Sequence, residues 1–361
     1  MAASHPNLPW LRECSLLSAS ILEPMALVLT DTLSRPLRTL RISVTDRCNF
    51  RCPYCMPREV FASDYPFLDR SEILRYEEIE RLVAIFVAHG VRKVRLTGGE
   101  PLLRRGLPDL VRCLARIPGV EDLALTTNGA LLADLAKPLK EAGLQRLTVS
   151  LDTLDAPKFK ELSDSEVPLN RVLSGLEAAR SEGFGPIKLN CVLQRGINDD
   201  EIVALAKFAR QGGYILRFIE FMDVGTQNGW KLDAVVPADE VLAKVSEVWE
   251  IEPVQEPLAG RVADRWRYRD GSGEFGVIAS VTKAFCGGCD RARLSAEGSV
   301  YSCLFAGSGV NLKTALRNGS SDSDIGAIIA NTWKRRDDRY SELRGAETTP
   351  ARKVEMFHIG G

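Results

Sequence analysis

Residues 45–57 read TDRCNFRCPYCMP and place three cysteines, Cys48, Cys52 and Cys55, directly after the strand-like run 40–44. Cubane iron–sulfur clusters are held by cysteine thiolates, normally four per cluster. A loop that offers three thiols leaves one iron free to bind another molecule. Structural zinc prefers a closed set of four ligands, and no fourth Cys or His lies near this loop. The spacing therefore favours an iron–sulfur cluster over zinc or over cysteines that only fill the core.

A second group of three cysteines, Cys286, Cys289 and Cys303, lies in the last quarter of the chain. It again offers three thiols, in a C-x2-C-x13-C arrangement, and of the His residues in the chain only His358 could approach it. We expect a second cluster whose open iron binds substrate directly. A zinc ribbon that lacks one ligand is the alternative.

Composition limits the class of protein. The 361 residues suffice for one large α/β domain or two smaller ones. The balance of 47 Lys and Arg against 48 Asp and Glu gives no electrostatic reason to expect nucleic acid or an anionic membrane as partner. No apolar run reaches the length of a transmembrane span. Because six of the nine cysteines form two tight groups, we expect metal or cluster binding in a reducing, cytoplasmic compartment.

From residue 40 onwards, strand-like and helix-like segments alternate, which predicts parallel βαβ units. The predicted strands are 40–44, 91–97, 122–126, 146–151, 187–193 and 215–221. The predicted helices between them are 76–89, 107–116, 131–142, 169–182 and 200–211. Alternation alone does not distinguish a barrel from a doubly wound sheet, and we predict an α/β fold with a partial, open βα barrel of about six strands.

The texture changes after about residue 223, where one predicted helix, 237–248, precedes a Gly-rich strand-and-turn region, 251–280. We therefore divide the chain into an extension 1–32, a barrel core 33–235 and a C-terminal α+β region 236–361. Residues 1–24 are expected to be dispensable, because Met25 could serve as an alternative start. The C-terminal region is expected to be an appended module whose cysteines close over the barrel mouth, at the carboxyl ends of the strands.

Cations lie inside four of the predicted strands, although a buried parallel strand should be nearly all apolar. These cations are Arg41, Lys93, Arg95, Lys188 and Arg217. Arg291 and Arg293, which share one face of an extended segment after the second cysteine pair, add a further pair suited to phosphate oxygens. The cations predict a cavity for a phosphorylated ligand between the two clusters. Side chains that snorkel outwards, or a solvated basic patch, are the alternatives.

Polar residues also end the next three strands. Gly98 and Gly99 allow close backbone approach to a ligand, and Glu100 can accept a hydrogen bond from an ammonium group. Thr126 and Asn128, then Ser150 and Asp152, end the following strands and suit ribose or carboxylate recognition. Turn and helix-capping roles are the alternative for each.

At this point the sequence resembles a known family. The first cysteine group, with the aromatic Tyr54 before its last cysteine, resembles the cluster loop of radical S-adenosylmethionine enzymes. Further motifs are the second cysteine group, RISVTDRC at 41–48, RLTGGEP at 95–101, FIEFMDVG at 218–225 and the terminal Gly-Gly. Together, over residues 33–361, they resemble the GTP 3′,8-cyclases of molybdenum cofactor biosynthesis.

This resemblance implies two [4Fe–4S] clusters and S-adenosylmethionine as cofactors. The first cluster, on Cys48, Cys52 and Cys55, would bind S-adenosylmethionine. Its reductive cleavage would give a 5′-deoxyadenosyl radical that abstracts the ribose 3′ hydrogen of GTP. The product would be 3′,8-cyclo-7,8-dihydro-GTP, in the first step of molybdenum cofactor biosynthesis. The second cluster, on Cys286, Cys289 and Cys303, would meet the guanine ring.

The resemblance also assigns roles to single residues. The cofactor-binding residues would be Tyr54, Gly98, Gly99, Glu100, Ser150 and Met222. The GTP-binding residues would be Arg41, Lys93, Arg95, Thr126, Lys188, Arg217, Arg291, Ala292 and Arg293. The catalytic set would comprise the first three cysteines, Arg291, Arg293 and the tail residues Gly360 and Gly361, for which a frayed end is the alternative. The implied partners are a reductant protein such as a flavodoxin, the next pathway enzyme (cyclic pyranopterin monophosphate synthase) and a second copy in a homodimer.

Two other functions fit parts of the sequence. A radical S-adenosylmethionine peptide or sulfatase maturase would carry more C-terminal cysteines and would need fewer arginines. A non-catalytic iron–sulfur or zinc scaffold would share the cysteine groups alone. Metal analysis separates the scaffold from the enzyme, since about four irons per cysteine group supports the enzyme.

Overall fold

The computed structural model describes residues 28–62, 64–255, 260, 262–344 and 353–360. The strands are β1 (Thr39–Ser43), β2 (Lys93–Thr97), β3 (Asp122–Thr127), β4 (Arg146–Ser150), β5 (Lys188–Leu193), β6 (Ile215–Glu220), β7 (Ile251–Pro253), β8 (Asp264–Tyr268), β9 (Glu274–Ile278), β10 (Arg291–Leu294), β11 (Ser299–Tyr301) and β12 (Val310–Asn311). The helices are α1 (Tyr76–Ala88), α2 (Leu107–Ala115), α3 (Leu132–Glu141), α4 (Ala156–Ser163), α5 (Leu169–Ser181), α6 (Ile202–Gly212), α7 (Ala238–Ser246), α8 (Lys313–Arg317), α9 (Asp322–Lys334), α10 (Tyr340–Leu343) and α11 (Met356–Ile359).

All of these strands join one sheet, in the order β12-β11-β10-β1-β2-β3-β4-β5-β6-β9-β8-β7. Strands β1 to β6 lie side by side in chain order and run parallel, with helices α1 to α6 in the connections. Over the described residues the sheet keeps two free edges, so it does not close on itself. The predicted open α/β barrel with six central strands is confirmed.

The C-terminal region contributes strands to both edges of this six-stranded core. β10 pairs in parallel with β1, and β9 pairs in parallel with β6. Through β10 and β9 the region beyond residue 236 therefore extends the core sheet at both of its edges. The division of the chain into three units, with boundaries at residues 32 and 235, remains a prediction.

Alternation along the strands separates a core face from an inner face. On β1, Leu40 and Ile42 are fully buried in the hydrophobic core beneath the helices, whereas Arg41 lies between them on the opposite face. The inner face therefore collects the polar side chains of the strands. Within the described ranges, no helix combines the length and the apolar character that a membrane span requires.

Candidate active site

Both cysteine groups line one cavity, which the inner face of the sheet encloses. The first group follows the carboxyl end of β1. Cys286 and Cys289 instead precede the start of β10, which runs parallel to β1, and Cys303 follows β11, which runs antiparallel to β10. The two groups therefore lie at opposite ends of the strands. The expectation that the second group closes over the same mouth was wrong, because the parallel β10–β1 pairing was not foreseen.

The first cysteine loop is tied to the ends of β3 and β4. The Tyr54 hydroxyl donates to Asp152 Oδ2 at 2.6 Å, and the Asn128 amide donates to Asn49 Oδ1 at 2.8 Å. Burial, followed by the charge of Glu100, raises the pKa of Cys48 to about 12. Burial and the neighbouring thiols also raise the pKa of Cys52. These thiols are free and become good ligands only when a metal replaces their protons.

Gly98 and Gly99 pack the end of β2 against the backbone of this loop. A Cβ at Gly99 would lie 2.3 Å from the Arg47 carbonyl oxygen, and one at Gly98, whose φ is +149°, would lie 2.5 Å from that of Thr45. The Gly99 N–H donates to the Thr45 carbonyl at 2.8 Å. Both glycines line the cavity, so their lack of a side chain brings β2 and the cysteine loop together.

Glu100 lies buried behind the cavity lining. Its carboxylate is buried and accepts hydrogen bonds from the Leu102 N–H, the Thr127 hydroxyl and the Asn128 N–H at 2.7–2.9 Å. Burial raises its pKa to about 7. Glu100 is absent from the cavity lining, and its hydrogen bonds position the β3 end, including Asn128. Its contact with the cofactor stays a prediction.

A row of arginines crosses the cavity between the two cysteine groups. In the sheet register, Arg293 on β10 stands beside Arg41 on β1, and Arg41 stands beside Arg95 on β2. All three line the cavity together with Arg217 and Arg291. Adjacent like charges on neighbouring strands are destabilising. Among the described residues of the lining, the acids are only Asp152 and Asp338, so the row lacks counter-charge of its own.

The lowered pKa values of these arginines reflect the same lack of negative charge in the cavity. Burial, then the charges of neighbouring arginines, lowers the pKa of Arg41 and lowers that of Arg217 to about 9. Burial and Arg291 lower the pKa of Arg293 to about 10. The Nε atoms of Arg41, Arg217 and Arg291 are buried and have no hydrogen-bond partner among the described residues. A bound polyanion would supply both the charge and the acceptors.

The other predicted substrate residues fall into two classes. Thr126 lines the cavity and accepts a hydrogen bond from Arg95 at 3.0 Å. Lys93, Lys188 and Ala292 are absent from the lining. Lys93 is exposed, whereas Ala292 is buried in the core beneath the helices. Lys188 lies at the start of β5, where burial and then Arg217 lower its pKa to about 8.

The second cysteine group is surrounded by arginines. Although burial alone would raise the pKa of Cys289, the charges of Arg291 and Arg336 lower it to about 7. Cys303 stays protonated more readily, since burial raises its pKa to about 11. The guanidinium of Arg336 donates to the Cys289 carbonyl at 2.7 Å.

The C-terminal tail enters between the two cysteine groups. Phe357 stacks edge-on against Phe61, which follows the first cysteine loop, with ring centroids 4.9 Å apart. The Gly360 carbonyl accepts a hydrogen bond from Arg293, and its φ of +75° favours glycine. A Cβ at Gly360 would lie 2.3 Å from the Thr97 methyl group. Gly361 lies outside the described residues.

Several residues that line the cavity were not predicted from the sequence as site residues. Asn190, Arg336 and Asp338 all line the cavity. The polar inner face of β5 is a sequence signal for Asn190. Arg336 follows α9, and no local pattern in the sequence connects it with the cysteines.

Comparisons with known proteins agree with this geometry. Residues 42–209 match the family model of the Radical SAM superfamily, and residues 214–342 match that of Molybdenum Cofactor Synthesis C. Among solved structures, the one described as "Native anSMEcpe with bound AdoMet and Cp18Cys peptide" has a TM-score of 0.51 at 15% identity. That likeness covers 89% of this chain and 94% of that one, and it supports the fold alone.

Close relatives are named by their activity. The GTP 3′,8-cyclase of Acidothermus cellulolyticus is 54% identical, over 92% of this chain and 98% of that protein. The GTP 3′,8-cyclase of Xanthomonas campestris pv. campestris (strain B100) is 48% identical over 92% of this chain and 97% of its own length, and that of Staphylococcus carnosus is 45% identical over 92% and 99%. With near-complete coverage at these identities, the chain belongs to the GTP 3′,8-cyclase family, whose members carry a radical S-adenosylmethionine domain.

Proposed function

We propose that this chain converts GTP to 3′,8-cyclo-7,8-dihydro-GTP, with S-adenosylmethionine at the first cysteine group and GTP between the two groups. The observation that carries the proposal is the row formed by Arg293, Arg41 and Arg95. Three adjacent guanidiniums that line the cavity, placed between two sets of free thiols, require an anionic ligand for charge balance. A nucleoside triphosphate has that charge and the length to extend along such a row.

The donor sets fit the proposed cofactors. Each end of the cavity presents three free cysteines, whereas no three His, Cys, Asp or Glu side chains of the described ranges are arranged to hold a single metal ion. Three thiols suit a [4Fe–4S] cluster with one open iron. When bound, the first cluster and S-adenosylmethionine supply the radical chemistry that removes a hydrogen atom from the ribose.

The residues of the chain are proposed to bind and orient. Tyr54, Gly98, Gly99, Ser150 and Met222 line the cavity near the first cysteines and would contact S-adenosylmethionine. Glu100 would hold the ends of β2 and β3 in place through its hydrogen bonds to Leu102, Thr127 and Asn128. The GTP set comprises Arg41, Arg95, Thr126, Arg217, Arg291 and Arg293, all of which line the cavity. Lys93, Lys188 and Ala292 would act through charge or backbone from outside the lining.

The tail has a role in the same scheme. Arg293 binds the Gly360 carbonyl, so the tail and the substrate share one guanidinium. We infer that Gly360 and Gly361 help to place the triphosphate and to exclude water at the reacting ribose. Positioning of this kind is the main contribution a protein makes to cofactor chemistry.

The test is an anaerobic assay of the full chain. The protein is reconstituted with iron and sulfide, then given reductant, S-adenosylmethionine and GTP. We expect 5′-deoxyadenosine and a cyclised guanine product, both dependent on GTP. If 5′-deoxyadenosine forms while GTP stays unchanged, the substrate assignment falls. If neither product forms although both clusters are loaded, the enzyme assignment falls.

The finer cellular setting is proposed on the family likeness. The chain would work in the cytoplasm as a homodimer, would receive electrons from a reductant protein such as a flavodoxin, and would pass its product to cyclic pyranopterin monophosphate synthase. Gel filtration with light scattering tests the homodimer, and reduction of the first cluster by purified flavodoxin tests the donor.

A further inference from the structure

A group of four charged residues, three of them buried, lies directly behind the second cysteine group. This group, the ionic frame, consists of Asp31, Arg35, Arg336 and Asp338. Asp31 Oδ2 accepts from Arg35 Nε at 2.6 Å and from Arg336 Nη1 at 3.1 Å. The side chains of Asp31, Arg35 and Arg336 are 0%, 2% and 1% exposed. Two acids balance two arginines, so the frame is neutral overall.

The frame reaches all three cysteines of the second group. Arg35 Nη1 donates to the Cys286 carbonyl at 2.9 Å, and Arg336 Nη1 donates to the Cys289 carbonyl at 2.7 Å. The Asp338 carboxylate accepts from the hydroxyl of Ser302, the residue before Cys303, at 2.6 Å. Arg35 also donates to the Asp338 carbonyl at 2.8 Å. The frame thus holds the backbone carbonyls of Cys286 and Cys289 and the side chain of the residue before Cys303.

Folding alone does not explain these charges. Buried ion pairs are costly to desolvate, and apolar residues of equal volume often stabilise a fold as well or better. The Nε of Arg336 has no hydrogen-bond partner among the described residues, and Arg336 lines the cavity with the second cysteines. Asp31 and Asp338 offset the charge of the frame as a whole, but the guanidinium of Arg336 donates to the Cys289 carbonyl and so places its own positive charge next to that thiol.

We propose that Arg336, supported by Asp31 and Arg35, is a positioning residue for the second iron–sulfur cluster. It holds the turn from Cys286 to Cys289 in the conformation that presents both thiols, and its charge favours the reduced cluster. This inference rests on the proposed second cluster. It also makes the segment before β1 part of that site, since Asp31 falls within the sequence unit 1–32 that was expected to be an extension.

The test compares the reconstituted full chain with Arg336→Gln, and uses Arg335→Gln as a matched control because Arg335 is the exposed neighbour. The parent and the control are expected to hold about eight irons per chain, and Arg336→Gln about four. S-adenosylmethionine binding to the first cluster should be unchanged. Arg336→Lys, which keeps the charge, should recover part of the iron, with the midpoint potential of the second cluster close to the parental value.

Other outcomes decide between the two proposals. If Arg336→Gln holds about eight irons per chain and its second cluster keeps the parental midpoint potential, the positioning role of Arg336 is overturned while the second cluster itself stands. A parent that holds only about four irons overturns the second cluster, and with it this inference. If Arg336→Gln loses both clusters, Asp338→Asn is the deciding variant. The Asp338 carboxylate is partly exposed, so its replacement should disturb the fold less. Removing that negative charge should shift the second cluster to a more positive potential, and an unshifted potential overturns the inference.

Discussion

The two cysteine groups have the same number of thiols but opposite electrostatic surroundings. Cys48 and Cys52 lie near the acids Glu100 and Asp152, which add to burial in raising their pKa values. At the other end of the strands, Arg291 and Arg336 lower the pKa of Cys289 to about 7 despite burial. An acidic setting suits the sulfonium cation of S-adenosylmethionine, and a cationic setting suits a polyanion. The surroundings, and not the ligand count, separate the two proposed roles.

The largest contrast should come from removing one cluster at a time. Cys52→Ser should lose about half of the iron and reduce 5′-deoxyadenosine formation by at least ~100-fold, since the first cluster is the site of S-adenosylmethionine cleavage. Cys303→Ser should lose the other half yet keep S-adenosylmethionine binding, measured by equilibrium dialysis. Loss of S-adenosylmethionine binding in both variants would abolish the division of roles.

Removing one arginine of the row should affect only the substrate. Arg41→Ala is expected to weaken GTP binding by about 10- to 100-fold, because a hydrogen bond to a charged group contributes about 1.5–3 kcal/mol. S-adenosylmethionine affinity should stay within about 2-fold of the parent, on the same scale. Arg116→Ala, at an exposed position on the end of α2, is the control. Equal losses for both ligands in calorimetry would contradict the assignment.

A smaller loss of affinity is expected at the first cysteine group, at the other end of the cavity. Tyr54→Phe removes the hydrogen bond to Asp152 and should weaken S-adenosylmethionine binding by about 5-fold, in line with about 1 kcal/mol for a single hydrogen bond. GTP affinity should not change. Tyr65→Phe keeps the aromatic contacts with Phe61 and Phe67 and serves as the matched control. A weaker affinity for GTP in Tyr54→Phe would count against a separate cofactor end.

The smallest effect concerns the tail that joins the two ends. His358 Nε2 lies 3.0 Å from Glu297 Oε1; although burial alone would lower the pKa of His358, this pair raises it above its ordinary value of 6.5. The stabilisation, about 0.5 kcal/mol for a partly exposed pair, is complete below pH 6.5 and is lost as the pH rises through the raised pKa.

Hydrogen exchange of residues 353–360 measures this effect. Exchange corrected for intrinsic rates should increase as the pH rises through the raised pKa, and His358→Gln should remove the pH dependence. His89→Gln, at the end of α1, should retain it. An unaltered pH profile in His358→Gln would show that the ion pair does not hold the tail.

The sequence predicted the residues of the site better than their arrangement. Both cysteine groups and the strand cations were visible, because unusual residue types at short spacing carry their own signal. The β10–β1 pairing was not predicted, because a strand of four residues is too short to show a periodic pattern in the sequence. Asp31 and Arg336 are 305 residues apart in the chain, so their ion pair could not be predicted from local pattern. Helix α4 was missed because its apolar stripe is short, although Asp155 and Pro157 form a favourable helix start.

The division between the two ends can be tested most directly by spectroscopy on the single-cluster variants. Cys303→Ser retains only the first cluster and Cys52→Ser only the second, and each is reduced and titrated separately with S-adenosylmethionine and with GTP while its electron paramagnetic resonance spectrum is followed. We predict that S-adenosylmethionine alters the spectrum of the first cluster only, and that GTP alters that of the second only. A change in the first cluster on addition of GTP, with the second cluster unresponsive, would contradict the account.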